Sequence, residues 1–265
     1  MTDSHTTMTK ALFFDIDGTL VSFHTHRIPD STVEALRRAK AHGGRVYIST
    51  GRPVGFINNL GQIADLIDGY ITTTGALCIV GEERFGLHSI EPHDAETVIA
   101  ACREMGKSCV VVGEEHISVI NDSAELTRQF REGLNLDFDF APLSTTLREP
   151  LLQLSPFFTT EEEQEVMSHL SACASSRWHP AFTDITHRDA DKGKALLAMC
   201  EHEGIAPCDT MAFGDGGNDI PIIRQAAIGV AMGNANDEVK AAADYVTTTV
   251  DDDGVSQALS HFHII

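Results

Sequence analysis

In the stretch FFDIDGTLV, residues 13–21, two carboxylates, Asp15 and Asp17, stand two positions apart directly after an apolar run. In extended chain, residues i and i+2 project to the same side, so both can face one pocket. Two carboxylates sharing a site cannot both ionise freely; one pKa rises unless a cation compensates. That separation suits a charged nucleophile beside a general acid that holds a proton. An acidic turn or a calcium loop is the plainer alternative. The calcium loop needs a further oxygen ligand, a Gly at its sixth position and a Glu at its twelfth, and this segment lacks that spacing.

Three more patches add to the pair. GDGGND, residues 214–219, carries Asp215 and Asp219 on a glycine-rich turn. Mg²⁺ takes octahedral oxygen coordination with one or two carboxylates and several waters. Asp15 and Asp215, with a backbone carbonyl near Asp17, supply such a set. In STGR, residues 49–52, Thr50 offers a hydroxyl, and Gly51 and Arg52 offer backbone N–H groups at an expected helix start. That makes a phosphate cradle. Lys192, in DADKGKAL, offers a fixed positive charge to a nucleophile and a transferring phosphoryl group. Alone, each patch is a common turn, cap or solvated lysine. Together they supply nucleophile, acid, metal ligands, hydroxyl cradle and cation, which is what phosphoryl transfer requires.

Such distant segments meet only if the fold brings them together. Each patch lies just after an apolar, strand-like run. KALFF reads as a buried strand, PDSTVEALRRAKAHGG as a helix capped by Asp30 or Ser31, and RVYIST as the next strand. GRPVGFINNLGQIA reads as a loop opening a second helix, and GYITTTGALCIV as strand. The C-terminal third repeats the rhythm: KALLAMCEHEG helix, TMAF strand, DIPIIRQAA helix, IGVAMG strand, NDEVKAAA helix and DYVTT strand. Alternating strands and helices imply an α/β fold with a doubly wound, Rossmann-like parallel sheet, and ligands bind such sheets outside the carboxyl ends of the strands. The middle breaks the rhythm. HISVIN and LLQLSPFF read as strands, DAETVIAACREMG and TEEEQEVMSHLS as helices, so residues 81–181 are expected to form an inserted α+β module between core segments 1–80 and 182–265.

A formal net charge of −20 over 265 residues argues against nucleic acid and anionic membrane surfaces as partners. A phosphorylated substrate would need a local cation here. The six cysteines show no C-x-x-C and no regular spacing, and no apolar run approaches a membrane span. A cytoplasmic protein with reduced thiols is expected.

The chain resembles the haloacid dehalogenase superfamily of phosphohydrolases through FFDIDGTL, YISTGR, Lys192 in DKGKAL, and FGDGGNDIPII. The order and spacing resemble the Cof-type branch with a C2-class α+β cap. EEHISV, RWHPAF, AAIGVAMG and KAAADYVT are similar to bacterial hexose-phosphate phosphatases of that branch. The resemblance implies that Asp15 attacks phosphorus to give an aspartyl-phosphate, and that Asp17 protonates the leaving sugar oxygen and then activates water. It implies that Asp15, the Asp17 carbonyl and Asp215 hold Mg²⁺. Thr50, Gly51, Lys192 and Asn218 would bind phosphate, with Arg52 and Asp219 as supporting residues. Thr74 stands where many relatives have asparagine, and the family's K-G-x-A-L pattern favours Lys192 over Lys194. Glu114, Glu115, His116, Arg177, Trp178 and His179 are candidate sugar contacts. A sugar phosphate is the expected partner. The alternatives are a phosphomutase on the same fold, or a phospho-acceptor module of receiver type, which is shorter and lacks an inserted cap.

Overall fold

The computed structural model describes residues 10–133 and 139–265. In chain order the strands are β1 (Ala11–Phe14), β2 (Arg45–Ser49), β3 (Ile67–Thr72), β4 (Leu77–Val80) and β5 (Glu83–Phe85). There follow β6 (Cys109–Gly113), β7 (Ile117–Ile120), β8 (Leu151–Pro156), β9 (Cys173–His179) and β10 (Phe182–His187). The last are β11 (Thr210–Gly214), β12 (Ile228–Ala231) and β13 (Tyr245–Val246). They form an eight-stranded and a five-stranded sheet, which belong to two compact units.

The first unit comprises residues 1–51, 59–86 and 191–265. Its sheet runs β13-β12-β11-β1-β2-β3-β4-β5. Pairing is parallel from β13 to β3, and β4 and β5 add an antiparallel edge. From β1 the chain steps one way to β2 and β3, and from β11 the other way to β12 and β13. The topological switch point therefore falls between β1 and β11, where open α/β sheets bind ligands.

Every residue of β1 is buried, as a strand covered on both faces requires. Successive side chains point to opposite faces. Phe13 stacks on Tyr47 at 4.9 Å and joins Leu196 and Met199 of the helix Lys192–Glu203. Phe14 stacks on Phe213 at 4.6 Å. The helix Asp30–Ala41 links β1 to β2 and buries Thr32, Ala35, Leu36 and Ala39, the helical spacing of one face. Asp30 in its first turn and Arg38 and Lys40 in its last suit the helix dipole. Pro29 occupies its cap position with no side-chain hydrogen bond, so neither Asp30 nor Ser31 caps it.

Two further expectations differ from the structure. No α-helix follows Gly51; the segment makes only a short 3₁₀ turn at Val54–Phe56, because Pro53, Gly55, Asn58, Asn59 and Gly61 interrupt any helical run. GYITTTGALCIV is two antiparallel strands, β3 and β4, around a tight turn at Thr73–Gly75.

The second unit comprises residues 52–58 and 87–190. Its sheet, in the order β7-β6-β8-β10-β9, is antiparallel throughout. The helices Pro92–Glu104 and Thr160–Met167 pack Val98, Ile99, Cys102 and Val166 onto Cys109, Val111, Leu154 and Ile185. β10 pairs with both β8 and β9, which carries this unit past residue 181 to Ala190. Among the described residues, no helix is long and apolar enough to cross a membrane.

Candidate active site

The loops after β1 and β11 leave the sheet side by side. Asp15 keeps the ladder for one more step, its N–H donating to the Phe213 carbonyl at 3.1 Å, and its side chain is buried. The chain then turns tightly, with the N–H groups of Leu20 and Val21 on the Ile16 carbonyl, and leaves Asp17 half-buried. Gly18 makes the turn possible at φ +84°, and a Cβ there would lie 2.2 Å from Asp215 Oδ2. The absent side chain is what lets the two loops approach.

Lys192 is fully buried, and its Nζ donates to Asp15 Oδ1 at 2.8 Å, Asp219 Oδ1 at 2.6 Å and the Ser49 carbonyl at 2.9 Å. It opens the helix Lys192–Glu203, whose N-cap Asp191 accepts the backbone N–H of Lys194. Gly75 (φ +95°) sits against the Asp191 backbone, where a Cβ would come within 2.5 Å, so the Thr73–Gly75 turn packs directly on this helix start. The Lys194 side chain is exposed, and it is Lys192 that reaches the carboxylates. Asp219 spends its other oxygen on the N–H groups of Asp215 and Gly216, both at 3.0 Å, and so shapes the glycine-rich turn.

Oxygens of Asp15, Asp215 and Asp219 all lie within 4.8 Å of one another. Burial, then the charge of Asp219, push the Asp15 carboxyl well above the usual carboxylate range, with Lys192 pulling the other way. Burial and Asp219 likewise push Asp215 up to about 7. Burial opposes the charge on Lys192, but Asp15 and Asp219 outweigh it and hold its pKa above the ordinary lysine value. Three carboxylates thus face one ammonium. This all-oxygen donor set with surplus negative charge fits a small hard divalent cation such as Mg²⁺.

The remaining core candidates gather close by. Thr50 is buried at the end of β2, its N–H on the Ile71 carbonyl and its own carbonyl accepting the N–H of Thr74 at 3.1 Å. Thr73 and Thr74 both adopt positive φ, 51° and 56°, a strained conformation for β-branched residues. Asn218 Nδ2 and Thr74 Oγ1 lie 3.4 and 3.5 Å from where a Cβ on Gly51 would stand. The N–H groups of Gly51 and Arg52 do not sit at a helix N-terminus, because no helix forms there. Arg52 belongs to the second unit, where its Nη1 donates to the Phe56 carbonyl at 2.9 Å.

Two of the candidate sugar contacts in the second unit are held by neighbours. His116 pairs with Glu149, whose carboxylate also accepts the N–H groups of Glu115 and His116 and fixes the turn between β6 and β7. Arg177 bonds Glu163 at 2.7 Å and the Phe158 carbonyl at 3.0 Å, tying β9 to the helix Thr160–Met167. His179 stacks on Phe182 at 4.7 Å, and burial lowers its pKa. Glu114 is half-buried in the turn and Glu115 is exposed. The Trp178 side chain lies outside the described residues.

Two contacts to Asp215 lie outside what the sequence pattern predicts. Thr19 Oγ1 donates to Asp215 Oδ1 at 3.1 Å, and Asn234 Nδ2 reaches Asp215 Oδ2 at 3.3 Å. The sequence marks the Thr of DGT only as part of a turn, and Asn234 only as a residue just after a strand.

The model of the haloacid dehalogenase-like hydrolases matches residues 12–259. The subclass IIB sugar phosphatase BT4131 is 48% identical, with a TM-score of 0.89 over 97% of this chain and 100% of that one. BT1666 from Bacteroides thetaiotaomicron, a phosphatase of the same superfamily, is 33% identical, with a TM-score of 0.86 over 100% of this chain and 99% of that one. The 5-amino-6-(5-phospho-D-ribitylamino)uracil phosphatase YcsE of Bacillus subtilis is 28% identical over 253 residues, 96% of this chain and 95% of that protein.

Proposed function

Because this chain belongs to the haloacid dehalogenase-like hydrolases and is a phosphatase of that superfamily, we propose that it hydrolyses small phosphomonoesters, hexose phosphates foremost, through a covalent intermediate on Asp15. Support for the substrate class comes from the matched proteins, one named a sugar phosphatase and one named for a phosphoribityl compound. The observation that carries the reading is the buried Lys192 ammonium bridging Asp15 and Asp219, with Asp215 in the same oxygen cluster.

In the first half-reaction, Asp15 attacks phosphorus with the oxygen that Lys192 leaves open. The Asp15 O–P bond forms, the ester P–O bond breaks, and its electron pair leaves on the alcohol oxygen. Asp17 gives that oxygen its proton. In the second half-reaction, Asp17, now a carboxylate, takes a proton from water as the water oxygen attacks phosphorus. The Asp15 O–P bond breaks, orthophosphate leaves, and both carboxyls return to their starting states.

Lys192 pulls Asp15 toward its ionised form against burial and the Asp219 charge, and offsets charge on the phosphoryl oxygens, while Asp219 holds Lys192 in place. Thr50, Gly51 and Asn218 bind the non-bridging oxygens, with Arg52 as a supporting residue. Asp15, Asp215 and the Asp17 carbonyl would hold Mg²⁺, which when bound supplies charge compensation to carboxylates and phosphoryl oxygens alike. Leaving-group selection falls to the inserted unit acting as a cap, with Glu114, Glu115, His116, Arg177, Trp178 and His179 as its candidate contacts. The cysteines are unpaired thiols, which suits a cytoplasmic enzyme.

The test is orthophosphate release from a panel of hexose, pentose and sugar-alcohol phosphates and nucleotides. Release should require Mg²⁺, stop on chelation and vanish in Asp15→Asn. Turnover by Asp15→Asn at the wild-type rate would overturn the nucleophile assignment.

A further inference from the structure

We propose that Asn234 is a positioning residue for the cation site, a neutral clamp that holds the Asp215 carboxylate against the loop carrying Asp17 and Gly18. The proposal rests on the Mg²⁺-dependent reading above, and goes beyond it in assigning a task to a residue outside the four motifs.

The orientation of the Asn234 amide is fixed by its partners. Its Oδ1 accepts the N–H of Val250 at 3.0 Å, which leaves Nδ2 as the group facing the site. Nδ2 donates to the Gly18 carbonyl at 2.8 Å and reaches Asp215 Oδ2 at 3.3 Å. The loop behind it is itself pinned, Met232 N–H on the Gly214 carbonyl and Gly233 N–H on the Thr248 carbonyl. One side chain therefore ties together the segments following β1, β11 and β13.

The chemistry of the donor matters. Asp215 accepts one neutral donor on each oxygen, the Thr19 hydroxyl on Oδ1 and the Asn234 amide on Oδ2. Each carboxylate oxygen has a second lone-pair direction left for a cation. A lysine or arginine at either place would supply the positive charge itself and compete with the ion; an amide and a hydroxyl orient the carboxylate and leave its charge uncompensated. Because Asn234 also grips the peptide next to Asp17, it sets the spacing between two ligands that different strands deliver. Partners of this kind cost 10–100-fold in metal affinity or activity when removed.

The experiment is calorimetric titration of the substrate-free full chain with MgCl₂, paired with the Mg²⁺ dependence of turnover. Asn234 is exposed, so truncating it leaves the core packed. Asn234→Ala is expected to weaken Mg²⁺ binding about 10-fold or more, with kcat recovering as Mg²⁺ is raised. Thr19→Val should weaken it too, Thr19→Ser should restore it, and the double variant should fall short of the product of the single effects, because both donors act on one carboxylate. Asn234→Ala that binds Mg²⁺ as the wild type does, with only its melting temperature lowered, would overturn the proposal and leave Asn234 a loop anchor through Val250. Wild-type protein that binds no Mg²⁺ would overturn the cation site and this proposal together.

Discussion

Lys192 Nζ lies 2.6 Å from Asp219 Oδ1, and neither side chain is more than 1% exposed. An ammonium without water must be matched by charge and hydrogen bonds, and this one has three acceptors. Asp219 thus stands between the buried Lys192 ammonium and the glycine-rich turn, with one oxygen for each. Replacing it by asparagine should lower unfolding free energy by about 3 kcal/mol, the low end for a broken buried pair, since Asp15 and Ser49 still accept from Lys192. Urea denaturation measures this; an unchanged midpoint at unchanged slope would contradict the arrangement.

Gly18→Ala tests the close approach of the two loops. A Cβ placed 2.2 Å from Asp215 Oδ2, at φ +84°, must displace the carboxylate or the turn. The expected cost is about 1–3 kcal/mol of stability, together with weaker Mg²⁺ activation. Wild-type stability and activation would show that the loops are not in contact.

Asp17→Asn should separate substrates by leaving group. Sugar phosphates release an alkoxide that needs a proton, and their turnover should fall about 10²–10⁴-fold. The first step with p-nitrophenyl phosphate, whose leaving group departs unprotonated, should change far less. Equal losses in that step for both substrates would refute the acid role.

Asp94 anchors the second unit at the segment Ser171–Cys173. Burial pushes its pKa up, but hydrogen bonds from the Ala172 and Ser171 backbones outweigh this and leave it below the usual carboxylate value. A depressed folded pKa contributes stability that is present above the unfolded pKa of about 4 and is lost as pH falls through the folded value. Thermal melts should therefore show Asp94→Asn destabilised by about 1–3 kcal/mol at neutral pH, with the gap to wild type closing in acid. A gap that persists at pH 2 would point to lost packing instead.

The doubly wound sheet and the patches at the ends of β1, β2 and β11 were legible because apolar runs and strand–helix alternation are local signals; the patch holding Lys192 instead follows β10 of the five-stranded sheet and is delivered by the helix Lys192–Glu203. Lys192 was legible too, once its pattern was matched. Asn234 and Thr19 were not: their bonds to Asp215 span 19 and 196 positions, and neither residue has a local signature of such a partner. The expected helix after Gly51 fails because proline, glycines and asparagines outweigh the apolar spacing of Val54, Ile57 and Leu60. β9 reads CASSRWH, too polar to show as a strand until β10 pairs with it. Which residues select the leaving group was illegible for a similar reason: His116 and Arg177 carry chemistry in their types, but in the structure both are engaged by carboxylates of their own unit.

The proposed route passes phosphate through Asp15. Asp17→Asn, which lacks the base for the second step, should accumulate that species when mixed with ³²P-labelled acetyl phosphate and quenched in acid. One equivalent of hydroxylamine-labile label is expected on the peptide containing Asp15. An unlabelled protein that still releases orthophosphate at the wild-type rate would contradict that route.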